Sequence, residues 1–360
     1  MNKSILDLYS DYLLSSFGQV TATGLSRLLD GDLSHDQITR TLASQDLTSK
    51  EWWSLIKPHV RQIEQEDGVM IVDDTIVEKP HTDENAIICW HWDHARGRTV
   101  KGLNLVTTLY VVQDVALPVA FELVTKTETY LDPKTGQEKR RSDTTKNARY
   151  RRMLQISHDN RIPFRYVLND LWFASAENMR FVKLDLKKEF IMALKSNRKV
   201  ALSEADKQHG SYQRIDQLEL PEGTVLTIYL EQVPFPLLLV RQVFTNEDGS
   251  VGVRYLVTSD LTLTADRMIT IYQKRWKVEE YHRSLKQNVA VAQSPTRTPT
   301  TQTNHVVAAL LAFVKLELLK VRTQKNHYQL KTQLYLAALK QALSELRKLQ
   351  PVSIVETVSA

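Results

Sequence analysis

Four residues in the C-terminal half have types and a spacing suited to chemistry on a charged substrate: Tyr272, Arg275, Glu279 and Lys286. On a helix with about 100° per residue, these positions fall within an arc of roughly 60°. One face would then carry a carboxylate between two cations, with a phenol beside them. Such a face can hold a divalent cation next to a polyanionic backbone. We expect one long helix, capped by Thr264, to carry all four residues.

Two more carboxylates stand where predicted strands end. A buried run at 69–72 leads into Asp73 and Asp74, and the run 164–168 leads through Asn169 into Asp170. Mg²⁺ takes oxygen ligands, typically one or two carboxylates together with substrate phosphates and water. A pair of such ions can activate a nucleophile and stabilise a leaving oxygen. Because strand alternation sends Asp73 and Asp74 to opposite faces, only one should reach the metal, and Asp73 is favoured.

Alternating strand and helix patterns after residue 68 predict an α/β sheet. Three β-like runs without an intervening helix predict a mostly antiparallel, β-rich segment at 200–261. The patterns divide the chain into five regions: a helical region at 1–68, a core in two parts at 69–199 and 262–300 around the β-rich insertion at 200–261, and a helical C-terminal region at 301–360.

The first region also contains a predicted helix-turn-helix. Ser34 and Gln37 have the spacing of a capping box at the start of its second helix. That helix would present Arg40 toward DNA. An ordinary helical hairpin is the alternative, and ten acidic against six basic residues in 1–67 favour it somewhat.

Composition narrows the class of protein. The chain has 360 residues, a net charge of +5 and one cysteine, Cys89. A single cysteine rules out a disulfide framework and fits a reducing cytoplasm, and the apolar run at 306–314 is too short for a membrane span. Basic residues concentrate at 139–152 and 265–360, which suggests phosphate contacts. Candidates for a DNA channel are Lys101, Arg149, Arg151 and Arg152.

These motifs together resemble the DDE transposases of bacterial insertion sequences, in particular the insertion sequence four superfamily with its Tyr-Arg-Glu-Lys signature. The signature is matched by the four spaced residues described first. The segments 71–75 and 166–175 resemble the family's two aspartate motifs. The resemblance spans roughly residues 70 to 290.

The resemblance implies a ribonuclease-H-like core interrupted by a β-rich insertion, with helical N-terminal and C-terminal regions. It implies Mg²⁺ or Mn²⁺ held by Asp73, Asp170 and Glu279. The DNA-binding residues would be Tyr272, Arg275, Trp276, Arg283, Lys286 and Arg40.

The implied activity is cleavage at element ends and strand transfer into target DNA, in some members through hairpin ends. The implied partners are double-stranded DNA (terminal inverted repeats and target) and a second copy of the chain on that DNA. No membrane partner is expected, and the implied location is the nucleoid in a bacterial cytoplasm.

Aromatic and histidine side chains near the motifs leave some alternatives open. Trp276 either stacks on an everted base or packs in the core, whereas Trp172 and Phe173 are expected in the core below the site. His91 and His94 are expected to be structural, because no further His or Cys stands at metal-ligand spacing.

Two rival functions remain at the level of sequence. One is a non-catalytic DNA-binding regulator derived from a transposase, which should have lost a carboxylate. The other is a metal-dependent nuclease without strand transfer.

Overall fold

The computed structural model describes residues 2–94, 96–133, 135–246 and 248–349. Within these ranges the α-helices, labelled in chain order, are α1 (Lys3–Ser15), α2 (Ala22–Leu28), α3 (His35–Leu42), α4 (Ser49–Ile63), α5 (Lys146–Asp159), α6 (Ala176–Arg180), α7 (Glu204–Gln208), α8 (Ala265–Gln273), α9 (Trp276–Asn288), α10 (Pro299–Thr323) and α11 (His327–Leu349). A π-helical segment (Phe181–Asp185) follows α6, and a 3₁₀ turn covers Ile215–Gln217.

The strands of the same ranges are β1 (Val69–Glu78), β2 (Cys89–Asp93), β3 (Arg98–Val112), β4 (Val115–Leu123), β5 (Glu128–Leu131), β6 (Glu138–Arg141), β7 (Tyr166–Asn169), β8 (Glu189–Leu194), β9 (Lys199–Val200), β10 (Gln213–Arg214), β11 (Val225–Ile228), β12 (Leu237–Thr245) and β13 (Val251–Thr258). Nine of them form one sheet in the order β11-β12-β13-β8-β7-β1-β3-β2, with β4 also paired to β3.

The centre of this sheet combines both pairing senses. Strands β1, β3 and β4 are antiparallel neighbours, whereas β7 runs parallel to β1 and β8 runs parallel to β7. Parallel strands need covered faces, and β7 is accordingly buried along its whole length. Helix α4 packs on β4, where the Trp52 indole donates to the Pro118 carbonyl at 2.8 Å. This architecture confirms the predicted α/β class and the ribonuclease-H-like core.

The predicted β-rich segment continues the central sheet. Strands β11, β12 and β13 are antiparallel to one another, and β13 pairs with β8. In sequence the segment lies between β8 and α8. In the sheet, β13 covers the edge of β8 that would otherwise be unpaired.

Asp260 fastens the end of β13 to the start of β7. Its buried carboxylate accepts hydrogen bonds from the Tyr166 hydroxyl at 2.7 Å, the Arg165 guanidinium at 3.0 Å and the Thr262 hydroxyl at 2.6 Å. Burial alone would raise the pKa of Asp260, but these hydrogen bonds outweigh it and lower the pKa to about 2.

The chain divides into two compact units. Unit 1 comprises Met1–Asp46, Ser284–Thr296 and Thr300–Ala360, and unit 2 comprises Leu47–Arg283 and Arg297–Pro299. Helix α4, which the sequence places in the first region, lies in unit 2. Because a compact unit need not fold alone, the five predicted region boundaries stay predictions.

Within unit 1, helix α10 is the most buried element. Its residues 304–314 are all buried. Asn304 donates to the carbonyls of Leu42 and Gln45, both at 2.7 Å, and His305 lies 3.1 Å from the Tyr9 hydroxyl. The predicted capping box of α3 is present, since Ser34 and Gln37 bond to each other's backbone. In the part of the chain that the structure describes, no helix combines the length and apolar character needed to cross a membrane.

Asp260→Asn should lower the free energy of unfolding at pH 7 by roughly 1–2 kcal/mol, with the exposed Arg165 contributing less because water screens it. A carboxylate whose pKa is lowered in the folded state stabilises the protein at pH values above its ordinary pKa of about 4. This stabilisation is lost as the pH falls toward 2. Urea unfolding should therefore show a difference between wild type and variant that shrinks from pH 5 to pH 2. The exposed Asp83→Asn serves as control, and a difference that stays constant with pH would contradict the account.

Candidate active site

Asp73 and Asp170 lie side by side where two parallel strands separate. The last pair between β1 and β7 is Ile71 opposite Leu168. Continuing that register by two residues places Asp73 opposite Asp170 with both side chains on one face. The prediction that the first strand ends at Asp73 is wrong: β1 continues to Glu78, because β3 pairs with it along its whole length.

The helix predicted to carry the four-residue face is broken in two. Helix α8 ends at Gln273 and α9 begins at Trp276. Between them the backbone tightens: the Arg275 N–H donates to the Tyr272 carbonyl at 2.9 Å, and the Val278 N–H donates to the Arg275 carbonyl at 3.1 Å. These three-residue spacings are those of a 3₁₀ turn, so the prediction of one continuous helix is wrong.

Tertiary contacts account for this break, since neither glycine nor proline occurs between residues 265 and 288. The buried Tyr272 hydroxyl donates to the Asn169 carbonyl at 3.3 Å. The Arg275 guanidinium lies 6.0 Å from the centre of the Tyr272 ring and donates to Glu279 Oε1 at 3.3 and 3.4 Å. Tyr272 thus fixes the end of α8 to the strand that leads into Asp170, and Arg275 turns toward α9.

The carboxylates of the site act on one another. The pKa of Asp73 is raised to about 8, first by burial and then by the negative charges of Asp170 and Asp74, with a smaller effect of Glu279. Burial also raises the pKa of Asp170, although the Trp172 N–H and the positive charge of Arg275 oppose the shift. Unit 2 therefore holds acidic groups at a place where their ionised forms are unfavourable.

Asp74 points away from this group, as strand alternation predicts. Its carboxylate accepts hydrogen bonds from the Asn104 amide at 2.8 Å and from the Lys146 ammonium at 2.7 Å. The partners of Asp74 are thus protein side chains, whereas Asp73 accepts a hydrogen bond from the backbone N–H of Asp74 at 2.8 Å. The geometry favours Asp73 as the metal ligand, and that assignment stays a proposal.

The donor set fits a hard divalent cation. Asp73 and Asp170 offer only oxygen atoms, which Mg²⁺ and Mn²⁺ accept, and a cation would offset their mutual repulsion. Within the described ranges, no three His, Cys, Asp or Glu side chains are arranged to hold a metal ion. Glu279 is instead engaged by Arg275. Two carboxylates are a sufficient protein contribution where substrate phosphates and water complete the shell.

The remaining predicted DNA-binding residues are exposed. Trp276 has 57% of its surface accessible, so the core-packing alternative for it is wrong. Arg283 in unit 2 is exposed, and so are Lys286 and Arg40 in unit 1. Their contact with DNA stays a prediction.

Trp172 departs from its predicted place in the core. Its side chain is 62% exposed, and its backbone N–H donates to Asp170 Oδ1 at 2.9 Å. The neighbouring Phe173 is buried as predicted and stacks on Tyr150 at 5.1 Å.

Three of the four cations predicted to line a DNA channel form ion pairs with carboxylates of the protein. Arg149 is buried and donates to Glu122 at 2.8 Å, and Arg152 binds the same carboxylate. Arg151 pairs with Glu177 at 2.9 Å. A role for Arg149 in contacting phosphate is therefore wrong for this structure, because its guanidinium is out of reach of solvent.

One supporting residue escaped the sequence analysis. The Asn169 amide oxygen accepts from the Tyr150 hydroxyl at 3.0 Å, and its carbonyl accepts from Tyr272. Asn169 thereby joins α5 and α8 to the residue preceding Asp170. Its position directly before a strand-end aspartate is the only signal that the sequence offers.

Comparison with protein families gives two matches. A family model described as DDE superfamily endonuclease matches residues 2–218, and one described as transposase DDE domain matches residues 132–314. The first range includes Asp73 and Asp170, and the second includes Asp170 and Glu279. No curated protein matches the chain.

Asp73→Asn should raise the free energy of unfolding in metal-free buffer at pH 8, by roughly 2–4 kcal/mol. An acid whose folded-state pKa is raised destabilises the protein at every pH above its ordinary value, and the amide removes that cost. The matched variant Asp74→Asn should have the opposite sign, a loss of about 0.5–1.5 kcal/mol, because it weakens two hydrogen bonds. Urea unfolding in EDTA measures both, and a destabilised Asp73→Asn would contradict the description of the site.

Proposed function

The chain belongs to the DDE superfamily of endonucleases and transposases, and from this premise we propose that it cuts the DNA ends of a mobile element and joins them to target DNA. Membership implies a nuclease that acts on DNA, and members of this superfamily use divalent metals. Strand transfer is the step that our proposal adds.

The observation that carries the proposal is the parallel register of β1 and β7. It places Asp73 beside Asp170 on one face, and the Arg275–Glu279 pair lies within electrostatic reach of both. Two adjacent carboxylates, a third on a helix and a partly buried guanidinium suit a reaction at a phosphodiester. A merely structural cluster would be expected to pair each acid with a cation, as Asp74 is paired with Lys146.

In this mechanism Asp73 and Asp170 would hold the metal, with Glu279 as the third acid. When bound, Mg²⁺ or Mn²⁺ lowers the pKa of water and stabilises charge on the leaving oxygen. The Trp172 N–H orients Asp170, and Tyr272 fixes the strand end that presents it. Glu279 would be the third group to hold the metal, and Arg275 would supply positive charge near the reacting phosphate.

In each step of the reaction, one bond from oxygen to phosphorus forms and another breaks. In cleavage, a bond forms from water oxygen to phosphorus while the bond from phosphorus to the 3′ oxygen breaks, which leaves a 3′-hydroxyl. In joining, that 3′-hydroxyl attacks a phosphodiester of the target, and a target 3′ oxygen leaves. The same carboxylates serve both steps, since both are in-line displacements at phosphorus.

We place the protein in the Tyr-Arg-Glu-Lys group of bacterial insertion sequences. The support is the complete signature in sequence and the β-rich insertion between β8 and α8. This placement assigns Trp276 to an everted base near the element end and allows hairpin ends as intermediates. Arg283 and Lys286 then follow on the same helix as DNA contacts.

DNA recognition by the N-terminal region is a further part of the proposal. Helices α2 and α3 form a short helical pair whose second helix begins at the capping box and presents the exposed Arg40. Two such units on two element ends imply a homodimer on DNA. The proposed setting is the bacterial nucleoid.

Two alternatives make different predictions. A regulator derived from a transposase would bind DNA without cutting it, although Asp73, Asp170 and Glu279 are all retained. A nuclease without strand transfer would cut but never join. Assaying both products separates the three functions.

The expected result is cleavage and joining of labelled duplexes that carry the flanking element ends, in Mg²⁺ or Mn²⁺. Asp170→Asn and Glu279→Gln should reduce both products at least a hundred-fold while DNA affinity stays within about threefold, since charge at the reacting centre is what they remove. Asp74→Asn is the matched control and should keep most of the activity.

Cleavage without any joined product would support the nuclease alternative. Binding without cleavage by wild type in either metal would support the regulator and contradict the proposal.

A further inference from the structure

An exposed group of aromatic rings lies next to Asp170. Trp92 and His94 contact each other with ring centres 6.4 Å apart, and His94 contacts Trp172 at 4.9 Å. Trp92 is 54% exposed and Trp172 is 62% exposed. His94 is exposed as well. We call these three side chains the aromatic surface.

The fold explains why these rings face outward. Burial alternates along β2, so that Cys89 and His91 point into the protein and Trp90 and Trp92 point out. The turn after β2 is held by Arg96, which pairs with Glu78 at the end of β1 and donates its N–H to Asp93 at 3.2 Å. The hairpin tip is thereby fixed over the loop that follows β7.

The aromatic surface is continuous with the active site. The backbone N–H of Trp172 donates to the Asp170 carboxylate at 2.9 Å, while the Trp172 ring is part of the aromatic surface. Trp172 therefore belongs both to the loop that carries Asp170 and to the aromatic surface. Large exposed aromatic side chains in contact with one another usually mark a binding site, because their burial against a partner is favourable.

The charge around the rings suits a nucleic acid. Lys101 lies opposite Trp90 in the β2–β3 pair, on the strand face that also carries Trp92, and its ammonium lies 6.0 Å from the centre of the Trp90 ring. Aromatic rings interleaved with cations are the composition of surfaces that bind single-stranded DNA, where bases stack on rings and cations contact phosphates.

We propose that the aromatic surface binds unpaired bases of the DNA strand that is cut at Asp170. The proposal rests on the proposed function for the identity of the strand. It is separate from the assignment of Trp276, which lies on α9. Bases flanking a cut phosphate can leave the duplex, and stacking on Trp172 and Trp92 would hold them there.

The test uses the full-length protein in EDTA, where no cleavage takes place. Its probes are two labelled oligomers of equal length and charge, one of thymidines and one of abasic residues. Wild type should bind the thymidine oligomer about 5- to 150-fold more tightly than the abasic one, the range expected for stacking of one base. Because both probes carry the same phosphates, the ratio of their affinities reports the bases alone.

Trp172→Ala and Trp92→Ala should each move this ratio toward one, while Trp172→Phe keeps most of it. Trp53→Ala, a partly exposed tryptophan on α4, is the matched control and should keep the wild-type ratio. Thermal melting shows which variants fold. Because Trp92 lies on an outward strand face, its variant tests the proposal even if Trp172→Ala does not fold.

Folded Trp172→Ala and Trp92→Ala variants with the wild-type ratio would overturn the proposal and show that the rings only pack against one another. Failure of the proposed function has a different result. In that case wild type would give no joined product, or no cleavage at all, in Mg²⁺ or Mn²⁺, whatever the base preference of the aromatic surface.

Discussion

Two carboxylates forced together by strand register repel each other, and the site is arranged around that repulsion. The parallel pairing of β1 with β7 places Asp73 opposite Asp170, and burial makes the ionised pair more costly. A sheet without a function at this point would place apolar side chains there, as β7 does in its first three residues. In our proposal a bound divalent cation offsets this cost. Active sites commonly reduce stability in this way.

The surrounding elements limit the geometry of that pair without neutralising it. The broken helix places Arg275 near the carboxylates, and Tyr272 ties the break to Asn169. Asp74, one residue away, is fully occupied by Asn104 and Lys146. The two neighbouring aspartates therefore differ: Asp74 is bonded to protein side chains, whereas Asp73 faces the other carboxylates of the site.

Local signals in the sequence predicted much of this structure. The β-rich segment was expected at 200–261, and strands β11 to β13 lie within it, because β-like runs of residues are short-range features. The carboxylates could be found from their positions after apolar runs.

Tertiary contacts decided the rest. The helix break at Lys274 and Arg275 has no glycine or proline to announce it. The exposed Trp172 lies in a loop whose backbone N–H donates to the Asp170 carboxylate, and the extension of β1 to Glu78 depends on its pairing with β3. None of these contacts can be read from a single segment.

The most direct measurement is a crystal structure of the full-length protein soaked in Mn²⁺, with the metal located by its anomalous scattering. Our account predicts a peak bound by carboxylate oxygens of both Asp73 and Asp170, and no such peak in crystals of Asp73→Asn. It would be contradicted by Mn²⁺ bound through Asp74 instead, or by an Asp73–Asp170 pair without metal in crystals where other sites are filled.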